Sequence, residues 1–242
     1  MQAATVHNII RTLRSIHNQQ EFAYISVPIT SGKMLFDALS RTLIHPDRKD
    51  FLTGPASSAD KSKEVPIFKE IIREVISENY AYGHVFLQEL ETRVNIPILY
   101  PADLVPRGDK WTQEHFQALW LTLISEHATQ LHMSPDWQYS SGAAEEFTHA
   151  YQLKLGVPRG AVGKDASPFY NSKMEEDKSR ERMRSISVYN HKGKALSLED
   201  GIRAIDGVLP WIKEHSFNTE RLENARNLLV WTSDKIEKGY YQ

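Results

Sequence analysis

The residues Ser134-Pro135-Asp136-Trp137-Gln138-Tyr139-Ser140-Ser141-Gly142-Ala143-Ala144-Glu145-Glu146 follow an apolar run and combine hydroxyls, small residues and carboxylates. That composition suits the point where a buried strand turns into a helix, which is where open α/β sheets hold their ligands. Gly142 allows a ligand close to the backbone, and the seryl hydroxyls with the unpaired N–H groups of a new helix can hold an anion. Glu146 lies about one turn further in and faces the same crevice, so it is the candidate nucleophile.

These residues need a scaffold, and the chain supplies its pieces in order. Phe22 to Ile29 is short, rich in aromatic and β-branched residues, and closed by Pro28 and a Thr30-Ser31-Gly32 turn. It reads as the first, buried strand of a parallel sheet. Helical spacing follows from Lys33 to Ile44 and, after a Pro-, Asp- and Ser-rich stretch from 45 to 65, from Pro66 to about Asn95. In that second helix Asn79 continues the stripe of Ile71, Ile72, Val75 and Ile76.

Ile96 to Tyr100 is a second strand, stopped by Pro101; Thr112 caps the next helix, with Phe116, Trp120, Leu123, Ile124 and His127 on its buried stripe. Ala128 to Met133 is a third strand, and the Gly142 helix runs to about Leu155 before the Gly156 stop. Val157 to Val162 is a candidate last strand, and the charged run 165–184 reads as a linker or exposed helix. Val6 to Ile16 forms a short leading helix; at the other end Ser197-Leu198-Glu199-Asp200 is a capping box, and Thr219 opens a last helix.

The expected fold is α/β, a flavodoxin-like or Rossmann-like three-layer core with a parallel sheet. Residues 1–165 form that core with a helical insertion at about 46–95, and 166–242 form a linker and C-terminal helical extension.

Composition excludes several functions. The chain of 242 residues carries 29 basic and 31 acidic side chains, a net charge of −2, which leaves no footprint for duplex nucleic acid or an anionic membrane. With no cysteine there are no disulfides, thiolate metal sites or thiol nucleophiles, so catalysis falls to oxygen and nitrogen groups. No apolar run approaches the roughly 20 residues of a membrane span, and the first residues lack a signal-peptide core. A cytoplasmic protein is expected.

Two segments together, Tyr24-Ile25-Ser26-Val27-Pro28-Ile29-Thr30-Ser31-Gly32 and Trp137-x-x-Ser140-x-Gly142-Ala143-x-x-Glu146, resemble the nucleoside 2-deoxyribosyltransferase superfamily and its nucleotide N-hydrolase branch. The resemblance covers the first strand with its turn and about Trp111 to Pro158. It implies cleavage or exchange of an N-glycosidic bond on a nucleoside or nucleoside 5′-monophosphate. Glu146 would be the nucleophile and Tyr24 its neighbour, with Ile29, Thr30, Ser31, Gly32, Trp137, Ser140 and Gly142 around the substrate, no cofactor, and a homo-oligomeric assembly.

Ser140 stands where the nucleotide hydrolases carry Ser and the nucleoside transferases Asp, and a hydroxyl tolerates a phosphate that an aspartate repels. Structural alternatives stand beside these roles: an ordinary N-cap for Ser140, packing for Trp137 and Tyr24, a turn rather than a place in the pocket for Asp136, and helix-dipole complementation for Glu145 and Glu146. Two departures stand out. Val27 replaces a glycine, and Trp120, Leu121 and Thr122 lie where relatives place an aspartate that orients or protonates the base, leaving Glu114, Asp103 or a neighbouring subunit to replace it. The same carboxylate chemistry would open the glycosidic bond of NAD, while a pocket without that aspartate would serve a silent nucleotide-binding sensor.

Other templates fail. Pro158 takes the place of the first glycine of a P-loop ending in Gly163-Lys164, with Asp165 in place of its Ser or Thr. Glu146 and His149 make a single Glu-x-x-His without the second copy of a dinuclear site, and the ten histidines form no zinc motif, so no metal is expected. Arg159 is left as a surface charge or a phosphate contact.

Overall fold

A computed structural model describes residues 21–43, 66–104, 112–156, 185–215 and 217–239. Four strands form one all-parallel sheet: β1 (Phe22–Ser26), β2 (Ile98–Leu99), β3 (Ala128–Met133) and β4 (Ser187–Tyr189), in spatial order β2-β1-β3-β4. Six α-helices are described: α1 (Lys33–Leu43), α2 (Pro66–Glu91), α3 (Gln113–His127), α4 (Ser141–Lys154), α5 (Leu198–Glu214) and α6 (Glu220–Glu237). The fold is mixed α/β with three layers, and its strand order is that of the flavodoxin type.

β1 is central and wholly buried, as its Phe-Ala-Tyr-Ile-Ser sequence requires of a parallel strand covered on both faces. In register, Tyr24 lies beside Leu131 and Ser26 beside Met133, while Ile25 lies beside His132. Because side chains alternate, Phe22 and Tyr24 enter the core built by α3, α4, α5 and α6, and Ile25 enters a second core with Phe86 and Leu90 of α2 and with Tyr100. The chain leaves β1 for β2 on one side and reaches β3 on the other. The carboxyl ends of β1 and β3 therefore meet at the topological switch point, where the Ser134 amide donates to the Ser26 carbonyl at 3.0 Å.

α4 is buried along nearly its whole length because β3 and α3 lie to one side and α6 to the other. Two of its buried polar groups bond to helices: the Thr148 hydroxyl donates to the Ala144 carbonyl at 2.8 Å, and His149 Nε2 pairs with the Ser125 hydroxyl of α3 at 2.7 Å. His149 is a packing residue.

β4 departs from the sequence reading. Ile186 and Val188 are buried, between an exposed Ser185 and half-buried Ser187 and Tyr189, the period-2 pattern of a sheet strand. A turn with Gly193 at φ 79° folds the chain back to Ser197, which caps α5 through the expected box with Asp200. The boundary expected at residue 165 is thus crossed by the sheet itself, and α2, expected as an insertion, is the layer over one face. The expected strand at 157–162, the leading helix, the loop 45–65 and the run 165–184 lie outside the described residues.

Candidate active site

Glu146 enters the switch point from the second turn of α4 and is 7% exposed. Alternation along β1 presents Tyr24 and Ser26 to it from the same face. The Tyr24 hydroxyl donates to Oε1 at 2.7 Å and the Ser26 hydroxyl to Oε2 at 2.6 Å, the short lengths of charge-assisted bonds. Burial pushes the Glu146 carboxyl up to about 7, against the pull of the two hydroxyl donors and with a smaller push from the charge of Glu145. Burial, and then the charge and hydrogen bond of Glu146, hold the Tyr24 phenol well above its ordinary value, so it remains a donor.

A second set of bonds ties the β1 loop to the start of α4. Ser140 caps the helix by accepting from the Ala143 amide at 3.3 Å, and its hydroxyl lies 2.9 Å from that of Ser31. Asn79 of α2 donates to the carbonyls of Ile29 at 3.0 Å and Ser31 at 3.3 Å. Gly32 takes φ 94°, and a Cβ there would come 2.8 Å from Pro28, so both conformation and space demand glycine. Gln117 of α3 donates to the Gly142 carbonyl at 3.3 Å.

The structure thus brings Tyr24, Ser31, Gly32, Ser140, Gly142 and Glu146 to one edge, though Ile29 contributes chiefly its carbonyl and Thr30 is exposed. Trp137 does not join them. It is 6% exposed and stacks on Phe147 with ring centroids 4.8 Å apart, because the short 3-10 turn Trp137–Tyr139 folds it back into the core. The expected base-stacking role is corrected to packing.

Helix-dipole complementation is also set aside for the two glutamates, since α4 starts at Ser141 and has no acidic residue in its first turn. Glu145 turns outward, to a bidentate pair with Arg221 of α6 at 2.8 and 2.7 Å. Asp103 is engaged by Tyr80 at 2.8 Å and His84 at 3.2 Å. The side chain of Glu114 and all of Arg159 lie outside the described residues. Among the described residues no cluster of His, Asp and Glu could hold a metal ion, and no helix is long and apolar enough to cross a membrane.

Sequence reasoning missed Ser26 and the loop clamp Asn79. Both carried a signal: Ser26 is two residues beyond Tyr24 on a strand, and Asn79 is an amide within an apolar stripe.

Two cavities stand out among the described residues, and only the larger touches α4. The larger, about 360 Å³, lies at its far end beside Tyr151, Lys154 and Asp200. Two of its polar side chains are already engaged, Tyr151 with the Leu196 carbonyl and Asp200 with the Ser197 amide and Arg203. The smaller, about 110 Å³, opens beside the β1 loop at the switch-point edge. Compared with known protein families, curated proteins and solved structures, the chain matches none.

Proposed function

We propose that the protein cleaves or exchanges the N-glycosidic bond of a nucleoside 5′-monophosphate or nucleoside, with Glu146 as nucleophile. The observation that carries the reading is a buried carboxylate gripped by two hydroxyls at the switch-point edge, beside a serine pair at a helix N-terminus.

In the reaction, a Glu146 oxygen bonds to the anomeric carbon as the carbon–nitrogen bond breaks, and that bond's electron pair leaves with the base. The base takes a proton from solvent. Water then attacks the glycosyl ester and restores the carboxylate; a second base in place of water gives transfer. Tyr24 and Ser26 fix the carboxylate below the sugar, so that the ordering cost is met before substrate binds. Ser31, Ser140 and the first amides of α4 offer donors without a carboxylate among them, which favours a 5′-phosphate there. The nucleophile must be ionised, so activity rises with pH through about 7.

The test is chromatography for released base after incubation with nucleosides, nucleoside monophosphates and NAD. Release is expected, fastest from monophosphates, and Glu146→Gln should lower it by roughly 10³-fold or more, as for other catalytic nucleophiles. Release that survives the substitution removes Glu146 from the chemistry; binding without release from any substrate favours a silent sensor.

A further inference from the structure

The small cavity lies between the two prolines that follow the strands, Pro28 and Pro135, and is lined by Lys33 and Met34 of α1, Asn79 and Tyr82 of α2, and Asp136. At about 110 Å³ it is far below the roughly 300–1,000 Å³ of a site that encloses a drug-sized ligand. It has room for a fragment of one ring system.

The cavity opens at the same carboxyl edge of the sheet as the Glu146 site, on the α1 and α2 side rather than against α4. Pro28 is two residues beyond Ser26, Lys33 follows Gly32, and Asn79 clamps the intervening carbonyls. Asp136 holds the left-handed conformation, φ 59°, at the turn that leads to Ser140; it is exposed and lines the cavity. Non-glycine residues rarely take that conformation, and Asx residues adopt it most readily.

The charges decide what fits. The Lys33 ammonium is already paired with Asp37 at 2.5 Å, and the Asp136 charge acts on it as well. The balance opposes a phosphate and favours a neutral ring that brings N–H donors to Asp136. Tyr82, close enough to feel the Asp136 charge, adds a hydroxyl that donates or accepts.

We infer that this cavity is the subsite for the departing base, and that Asp136, with Tyr82 beside it, selects bases bearing an exocyclic amino group over their carbonyl analogues. The inference rests on the proposed glycosidic chemistry. The absence of an aspartate at Trp120, Leu121 and Thr122 is then met from the opposite wall, since base contacts come from the β3 loop and α2.

The experiment measures KM and kcat for AMP against IMP and CMP against UMP. Wild type should favour the amino member of each pair by at least about tenfold in kcat/KM. Asp136→Asn, whose amide can donate to a ring carbonyl, should reverse or abolish that preference, chiefly through KM. Met34→Trp, which fills the cavity, should raise KM for every substrate while leaving binding of ribose 5-phosphate unchanged. Base release with no amino preference, or a preference that Asp136→Asn leaves intact in folded protein, overturns the subsite and leaves the glycosidic reading standing. No release from any substrate overturns both.

Discussion

Glu145 and Glu146 are adjacent on α4 yet belong to two different regions. Glu145 faces the α6 side, partly in water, where Arg221 grips it with two hydrogen bonds and both partners stay hydrated, 26% and 44% exposed. Glu146 faces the sheet, with two neutral hydroxyls and no cation among its hydrogen-bond partners. A surface carboxylate meets its opposite charge at little cost and little gain. A buried one without a cation gives up stability in exchange for a carboxyl that titrates near neutrality.

The largest effect that would sharpen this contrast is in stability against pH. A carboxyl raised from 4.5 to about 7 on folding adds nothing unfavourable below pH 4.5 and costs stability progressively as pH rises to 7. Glu146→Gln should therefore match wild type at pH 4 and exceed it by about 3 kcal/mol at pH 8, as read from urea unfolding. An equal difference at both pH values would break the contrast.

Next in size are the hydroxyl donors. Each favours the charged carboxylate by about 1.5–3 kcal/mol, the range for hydrogen bonds to charged groups. Tyr24→Phe or Ser26→Ala should move the acid limb of the pH–rate profile upward by about one to two units, and an unmoved limb would deny those bonds their role.

The smallest effect belongs to the exposed pair. Arg221→Ala leaves the Glu145 charge uncompensated, so the acid limb should move upward, by less than about half a unit because the pair is screened. In about 0.5 M salt the shift should vanish; a large, salt-independent shift would place Glu145 in the buried region after all.

Much of this was legible beforehand for a local reason. β1, α4 and its Ser140 cap announce themselves within a dozen residues each, through β-branched runs, small residues and a capping hydroxyl. β3 was read at its observed bounds because its composition changes sharply at both ends. β4 was missed because three residues paired only to β3 and a short returning segment carry too little pattern to stand out beside a long charged run. Trp137 misled because an indole beside polar residues looks the same in sequence whether it points to solvent or to Phe147.

By itself the sequence determined the α/β class and the order of its main elements, since these follow from local periodicity and residue type. Only the tertiary structure decided which of two neighbouring glutamates loses its water, which hydroxyls replace that water, and that Asn79 and Asp136 frame the crevice. Those outcomes depend on strand order and helix packing between segments as much as 122 residues apart, and no local pattern encodes the dielectric surroundings that such contacts create.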